Sequence, residues 1–198
     1  MKIDYEALIH SADPDNRIFA AEHGYGLEIL IHDPVPEVRL AVAIQGYGLD
    51  ELINDPDAMI REVATYLPLV KSTNPIDRLH AIEHGVGLQE LVYDKEEYIR
   101  RTLAFQGYGL DTLIKDENAG VRQAVAEMGY GLEELISDED AWVRATVAKH
   151  GVGLNILVHD PDADVRIAVA KMGYMLDILV DDQDYRVRGI AKKMLGES

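Results

Sequence analysis

His80-Ala81-Ile82-Glu83-His84 forms the pattern H-x-x-E-H, which can do chemistry on a helix. Two histidines at i and i+4 share one helix face and can ligate a single zinc ion, with the glutamate as base. The expectation weakens once other histidines are compared. His23, His84 and His150 recur at the end of an apolar stripe, where Gln45, Gln106, Met128 and Met172 stand elsewhere. If they lie on helices packed about 8–10 Å apart, three positions in the first, fourth and seventh copies fall roughly 25–30 Å from one another and cannot share an ion. His80 likewise takes a place filled by Ala41, Ala124 and Ala168. His32-Asp33 and His159-Asp160 resemble metal-binding pairs, yet Asn54, Tyr93, Lys115, Ser137 and Asp181 occupy the histidine's position in other copies. Gly-Tyr-Gly-Leu is no phosphate loop, because it follows a helix, lacks a third glycine and recurs.

These residues are held in a frame of 22 residues. Its arginine returns at Arg17, Arg39, Arg61, Arg78, Arg100, Arg122, Arg144, Arg166 and Arg188, with one spacing of 17 between Arg61 and Arg78. A unit this short cannot bury its own apolar face and must stack on its neighbours. The expected fold is all-α: a single right-handed α-solenoid over residues 1–198, of about nine two-helix repeats, in which a longer α-helix alternates with a short α or 3₁₀ helix. Terminal caps are expected at about 1–12 and 183–198.

In the repeat Asp33 to Asn54, Asp33 reads as a helix N-cap and Pro34 as the first helical residue. Val38, Ala41, Val42 and Gln45 fall at i, i+3, i+4 and i+7, and Gly46 supplies the left-handed stop. Leu49, Leu52 and Ile53 restart the pattern over about two turns. Tyr5, Leu8 and Ile9 resemble such a second segment from an unfinished repeat.

The net charge is −17, with 36 acidic against 19 basic residues. Pairing the arginine column with Asp13, Asp33, Asp55, Asp94, Asp116, Asp138, Asp160 and Asp182 makes the remaining surface still more acidic. Such a surface disfavours nucleic acid and anionic membrane as partners and attracts a basic one. There is no cysteine, hence no disulfide or thiolate metal cluster. The start, MKIDYEALIHSADPD, carries acids where a signal peptide needs an apolar core, and no apolar run nears membrane-spanning length. A cytoplasmic protein is expected.

The motif D-P-x-x-x-V-R-x-A-V-A, intact at Asp160 to Ala170, resembles the leucine-rich repeat variant family and, more loosely, HEAT-like repeats. The resemblance covers nearly the whole chain. It implies a superhelix of alternating α and 3₁₀ helices and a role as a binding scaffold. The chain departs from the pattern in its Gly-Tyr-Gly-Leu or Gly-Val-Gly-Leu turns, and the iron–sulfur cluster of one member is excluded by the absence of cysteine.

The irregular junction, 62–77, lacks both the Gly-Tyr-Gly-Leu turn and a clean leucine triplet. Pro68 is expected to end the preceding helix, and Asn74 and Pro75 to start the next. DPDNRIFAAEHGYGL at Asp13 matches NPIDRLHAIEHGVGL at Asn74 across 61 residues, so a three-repeat block was duplicated. The junction is either an indel scar or a notch that binds, with Tyr66 and Lys71 as its candidate contacts. The column Tyr25, Tyr47, Tyr108, Tyr130 and Tyr174 suits packing or a partner interface. Trp142, at a variable position, reads as a solvent-facing contact. Together these features predict a non-enzymatic scaffold, without cofactor, that binds a basic protein or peptide. An acidic mimic of DNA is the alternative, and a zinc hydrolase using His80, Glu83 and His84 the third reading.

Overall fold

Most of the longer helices start where a short polar side chain folds back onto the backbone two residues ahead. Asp57, Asn74, Asn118, Asp140, Asp162 and Asp184 cap in this way, and beyond the far end of all of these helices except the one that Asp57 opens a glycine carries a positive φ. The computed structural model describes residues 3–196, and the outer ends of the two expected caps, 1–2 and 197–198, lie outside them. Among the described residues there are seventeen helices and no strand.

The chain divides into two units, Met1–Leu91 and Val92–Ser198. The first contains α1 (Tyr5–Ile9), α2 (Pro14–Glu22), α3 (Leu27–Leu30), α4 (Pro36–Ile44), α5 (Leu49–Leu52), α6 (Ala58–Val70), α7 (Pro75–Glu83) and α8 (Leu88–Leu91). The second contains α9 (Glu97–Phe105), α10 (Leu110–Leu113), α11 (Ala119–Glu127), α12 (Leu132–Leu135), α13 (Ala141–Lys149), α14 (Leu154–Leu157), α15 (Ala163–Lys171), α16 (Leu176–Leu179) and α17 (Tyr185–Leu195). Within each unit consecutive longer helices pack side by side, as a helical repeat requires: α2 on α4 and α4 on α6, then α9, α11, α13, α15 and α17 in order. The small, fully buried Ala20, Ala21, Ala43, Ala126, Ala148 and Ala170 permit that approach. Each short helix is one turn in which i−4 and i−3 bonds coexist, as in Leu30 N–H and Ile29 N–H, both donating to Gly26 O at 2.9 and 3.0 Å.

The glycine that opens every short helix except α16 marks where neighbours touch. Gly153 has φ +64°, and a Cβ there would meet Ile136 Cδ1 at 2.7 Å. Ile9 lies against Gly26 in the same way, so α1 does the work of a second segment, as its sequence suggests.

The arginines bind aspartates of the column that sequence pairing suggests, with Asp13 as the exception. Arg122 donates from Nε and Nη2 to Asp138 at 2.7 and 2.9 Å and from Nη1 to Asp116 O at 2.8 Å. The carboxylate partner stands 16 residues ahead and the carbonyl six behind, and the same rung recurs at Arg17–Asp33, Arg39–Asp55, Arg100–Asp116, Arg144–Asp160 and Arg166–Asp182. Asp33 is therefore not the cap of α4, which begins at Pro36 with Val35 at the N-cap position. Its Oδ1 instead takes Val35 N–H at 2.9 Å, closing a turn one step before the helix. Asp13 does not belong to the rung column, since it caps α2, and Arg17 Nη1 reaches Ser11 O at 2.8 Å. Asp-Pro occurs at both registers, two residues apart, which is why the two roles look alike in the sequence.

The first part of the junction is continuous helix, as far as Val70. Pro68 lies inside α6 and does not end it. The ring removes one bond near the C-terminus, where Val70, 4% exposed, still anchors the last turn against Gly87. The five residues missing from this repeat are its glycine turn, and Tyr66–Val70 matches Tyr5–Ile9 across the 61-residue offset. The short helix is thus fused onto the longer one.

The Arg39 hydrogen bond holds the Asp55 carboxyl below its ordinary value, and Arg166 does the same for Asp182. Burial pushes Asp33 and Asp138 up, but bonds from Arg17 and Arg122 and from backbone N–H groups outweigh it, so both are lowered as well. A depressed folded pKa gives stability that is complete above the unfolded value, about 4, and is lost as pH falls through the folded one. Urea midpoints should therefore be level near pH 7 and fall steeply below about pH 4. Arg122→Met, which strands Asp138, should cost about 3 kcal/mol in the same titration at pH 7; a loss under about 1 kcal/mol would show the rung to be dispensable.

Candidate binding surface

The short helices present their middle residues to solvent because their first and last leucines turn inward. Leu30, Leu52, Leu91, Leu113, Leu135, Leu157 and Leu179 are buried. Exposed between them in the first unit are Glu28, Ile29, Asp50, Glu51 and Glu90, and in the second Asp111, Glu133, Glu134, Ile156, Asp177 and Ile178. Carboxylates and isoleucines therefore share one row of positions. Sequence reasoning found the leucines but missed the isoleucines, since an apolar residue inside an apolar triplet reads as core.

The tyrosine column divides. Tyr25, Tyr47 and Tyr130 are exposed, while Tyr108 and Tyr174 are partly covered. Tyr25 also stacks on Tyr5, with centroids 3.7 Å apart, in a cluster that includes Phe19 and His23. Nothing in the sequence marked Tyr5 as a ring partner. Tyr66 is its counterpart, stacked on His84 at 3.6 Å and 8°, and His84 Nδ1 lies 2.8 Å from Glu62 Oε1. Tyr66 is thus engaged with the following repeat, whereas Lys71, at the C-cap of α6, is exposed. His84 faces Glu62, and among the described residues His80, Glu83 and His84 form no group of three metal-ligating side chains.

The junction uncovers one apolar side chain. Ile31 and Ile114 are buried under the glycine of the next repeat. Ile53 occupies the same position before the missing turn and is 45% exposed.

Two open grooves add relief to the surface. One of about 520 Å³ lies between turns of the second unit, lined by Tyr93, Lys95, Arg100, Thr112, Lys115 and Glu117, with the Arg100–Asp116 rung beneath it. Its two lysines stand out in so acidic a chain. The other, of about 360 Å³, is bounded by Pro36, Leu40, Met59 and Ile60 where α4 meets α6. Among the described residues no helix is long and apolar enough to cross a membrane.

Trp142, the single tryptophan, is 63% exposed. Its fluorescence should be red-shifted in the native state, open to acrylamide quenching, and little changed by urea. A blue-shifted, protected emission would place the indole in an interface instead. The sequence matches no protein-family model and no curated protein.

Proposed function

We propose that the chain is a non-enzymatic repeat scaffold that binds a basic protein or peptide along its row of short helices. Its repeats would wind as the right-handed superhelix that the family resemblance implies. The observation that supports this reading is that, in each unit, the exposed middle positions of the short helices mix carboxylates with isoleucine, Ile29 in the first and Ile156 and Ile178 in the second. Carboxylates draw a basic segment in and set its register, while the apolar side chains supply contact area that charge alone does not. Six of the arginines contribute nothing to that row, because Asp33, Asp55, Asp116, Asp138, Asp160 and Asp182 neutralise them inside the rungs. No step of this function needs a cofactor or a metal, and the surroundings expected of it are cytoplasmic.

The test is affinity capture from the native host's lysate with wild-type protein and with the charge-reversed pair Glu133→Lys and Glu134→Lys. A partner of net positive charge should be held at low salt, be released as ionic strength approaches about 0.5 M, and be lost to the variant. Capture of an acidic partner, or capture indifferent to both salt and charge reversal, would overturn the reading. Displacement of the partner by duplex DNA would favour the DNA-mimic alternative.

A further inference from the structure

Arg61 is oriented like the other arginines of the repeat column, but no carboxylate meets it, a pattern shared only with Arg188 of α17 among the described residues. Its Nη1 donates to Asp55 O at 2.6 Å and Pro56 O at 2.9 Å. Arg144 Nη1 makes the same two bonds, to Asp138 O at 2.7 Å and Glu139 O at 3.1 Å. The other edge of Arg144, Nε and Nη2, grips Asp160 at 2.7 and 2.9 Å. For Arg61 no carboxylate lies within ion-pair distance of that edge among the described residues, and the side chain is only partly buried.

The residue at the vacant position is Ser72. It precedes Arg78 by six residues, as Asp160 precedes Arg166, and Arg78 Nη1 bonds Ser72 O at 2.7 Å as Arg166 Nη1 bonds Asp160 O at 2.7 Å. Ser72 Oγ accepts Asn74 N–H at 3.1 Å, as Asp160 Oδ1 accepts Asp162 N–H at 2.9 Å. Serine thus reproduces the turn and omits the forked carboxylate. The nearest acid in sequence, Asp77, is committed to its own turn, taking Ser72 Oγ–H at 2.6 Å and Asn74 Nδ2–H at 3.2 Å.

We propose that the Nε–Nη2 edge of Arg61 is a binding site for a forked oxyanion, a carboxylate or a phosphate, supplied from outside the chain. Two backbone carbonyls fix the guanidinium, so the paired N–H donors of its Nε–Nη2 edge are aligned before the ligand arrives, the condition under which bidentate recognition gains most. The site is separate from the acidic row and does not depend on a basic partner binding there. Asp77 opposes any anion in its vicinity, so binding in the millimolar range is expected, and a neutral residue at 77 should tighten it.

Thermal denaturation of the full chain in sodium chloride, acetate and phosphate at equal ionic strength tests this. Acetate, phosphate or both should raise the wild-type Tm by about 1–2 °C above chloride, and whichever acts identifies the ligand class. Arg61→Lys, which keeps the charge but not the fork, should lose the difference. Ser72→Asp with Asp77→Asn, which refills the rung from within, should raise Tm in chloride by about 2–4 °C and also lose the response. Titration of acetate against the Arg61 Nε–H NMR signal supplies a readout independent of stability. An equal response in wild type and Arg61→Lys would reveal a general salt effect and overturn the proposal. So would no response in wild type, or an Asp77→Asn variant as destabilised as Arg61→Lys, which would show that Arg61 pairs with Asp77.

Discussion

A guanidinium at the edge of an apolar stack has to be satisfied on every side, and the repeat is organised around meeting that demand. One edge of each rung arginine takes carbonyls of the turn before it, and the other takes the carboxylate of the turn after it. Asp138 shows the turn's double duty: its carboxylate receives Arg122 while its carbonyl receives Arg144. Turn, helix start and neighbouring repeat therefore cannot be placed independently. Shifting one turn by a residue would leave a mostly buried charge unpaired, which costs far more than a lost surface ion pair. The apolar contacts supply bulk stability, and the rungs set the register in which those contacts form.

Much of this was legible in the sequence because period is a strong signal. The 22-residue spacing, the glycine stops and the cap at Asn74 all follow from local rules. What was not legible depends on residues meeting across repeats. Asp13 and Asp33 look equivalent beside a proline, and only the partner 16 residues away distinguishes a helix cap from a rung. Pro68 looks like a terminator because its local cost is certain, whereas the packing of Val70 that offsets it is a tertiary effect. Tyr5 and His23 are 18 residues apart and gave no sign of being neighbours in one ring cluster.

The candidate surface was legible in its charge and not in its texture. Counting acids predicts an acidic face, but the count cannot say that Ile29 and Ile178 are exposed beside those acids. The junction was found from its spacing alone, yet its physical content came from geometry: an uncovered Ile53, a stacked Tyr66 and His84, and an arginine edge without its carboxylate.

Because each rung is directional, the array has a polarity that its helices alone would not confer. A repeat gives its arginine fork forward and offers its aspartate carboxylate to the fork of the repeat behind, so removing a repeat exposes a guanidinium edge on one side of the cut and a carboxylate on the other. Contacts also span little more than one period, which gives low contact order and lets order spread from neighbour to neighbour. In the second unit, amide exchange would then be slowest around α11, α13 and α15, which have rungs on both sides, and would quicken at α17. Ahead of it Met175, the one non-glycine described with a positive φ (50°), already holds a turn in a conformation that glycine takes more readily.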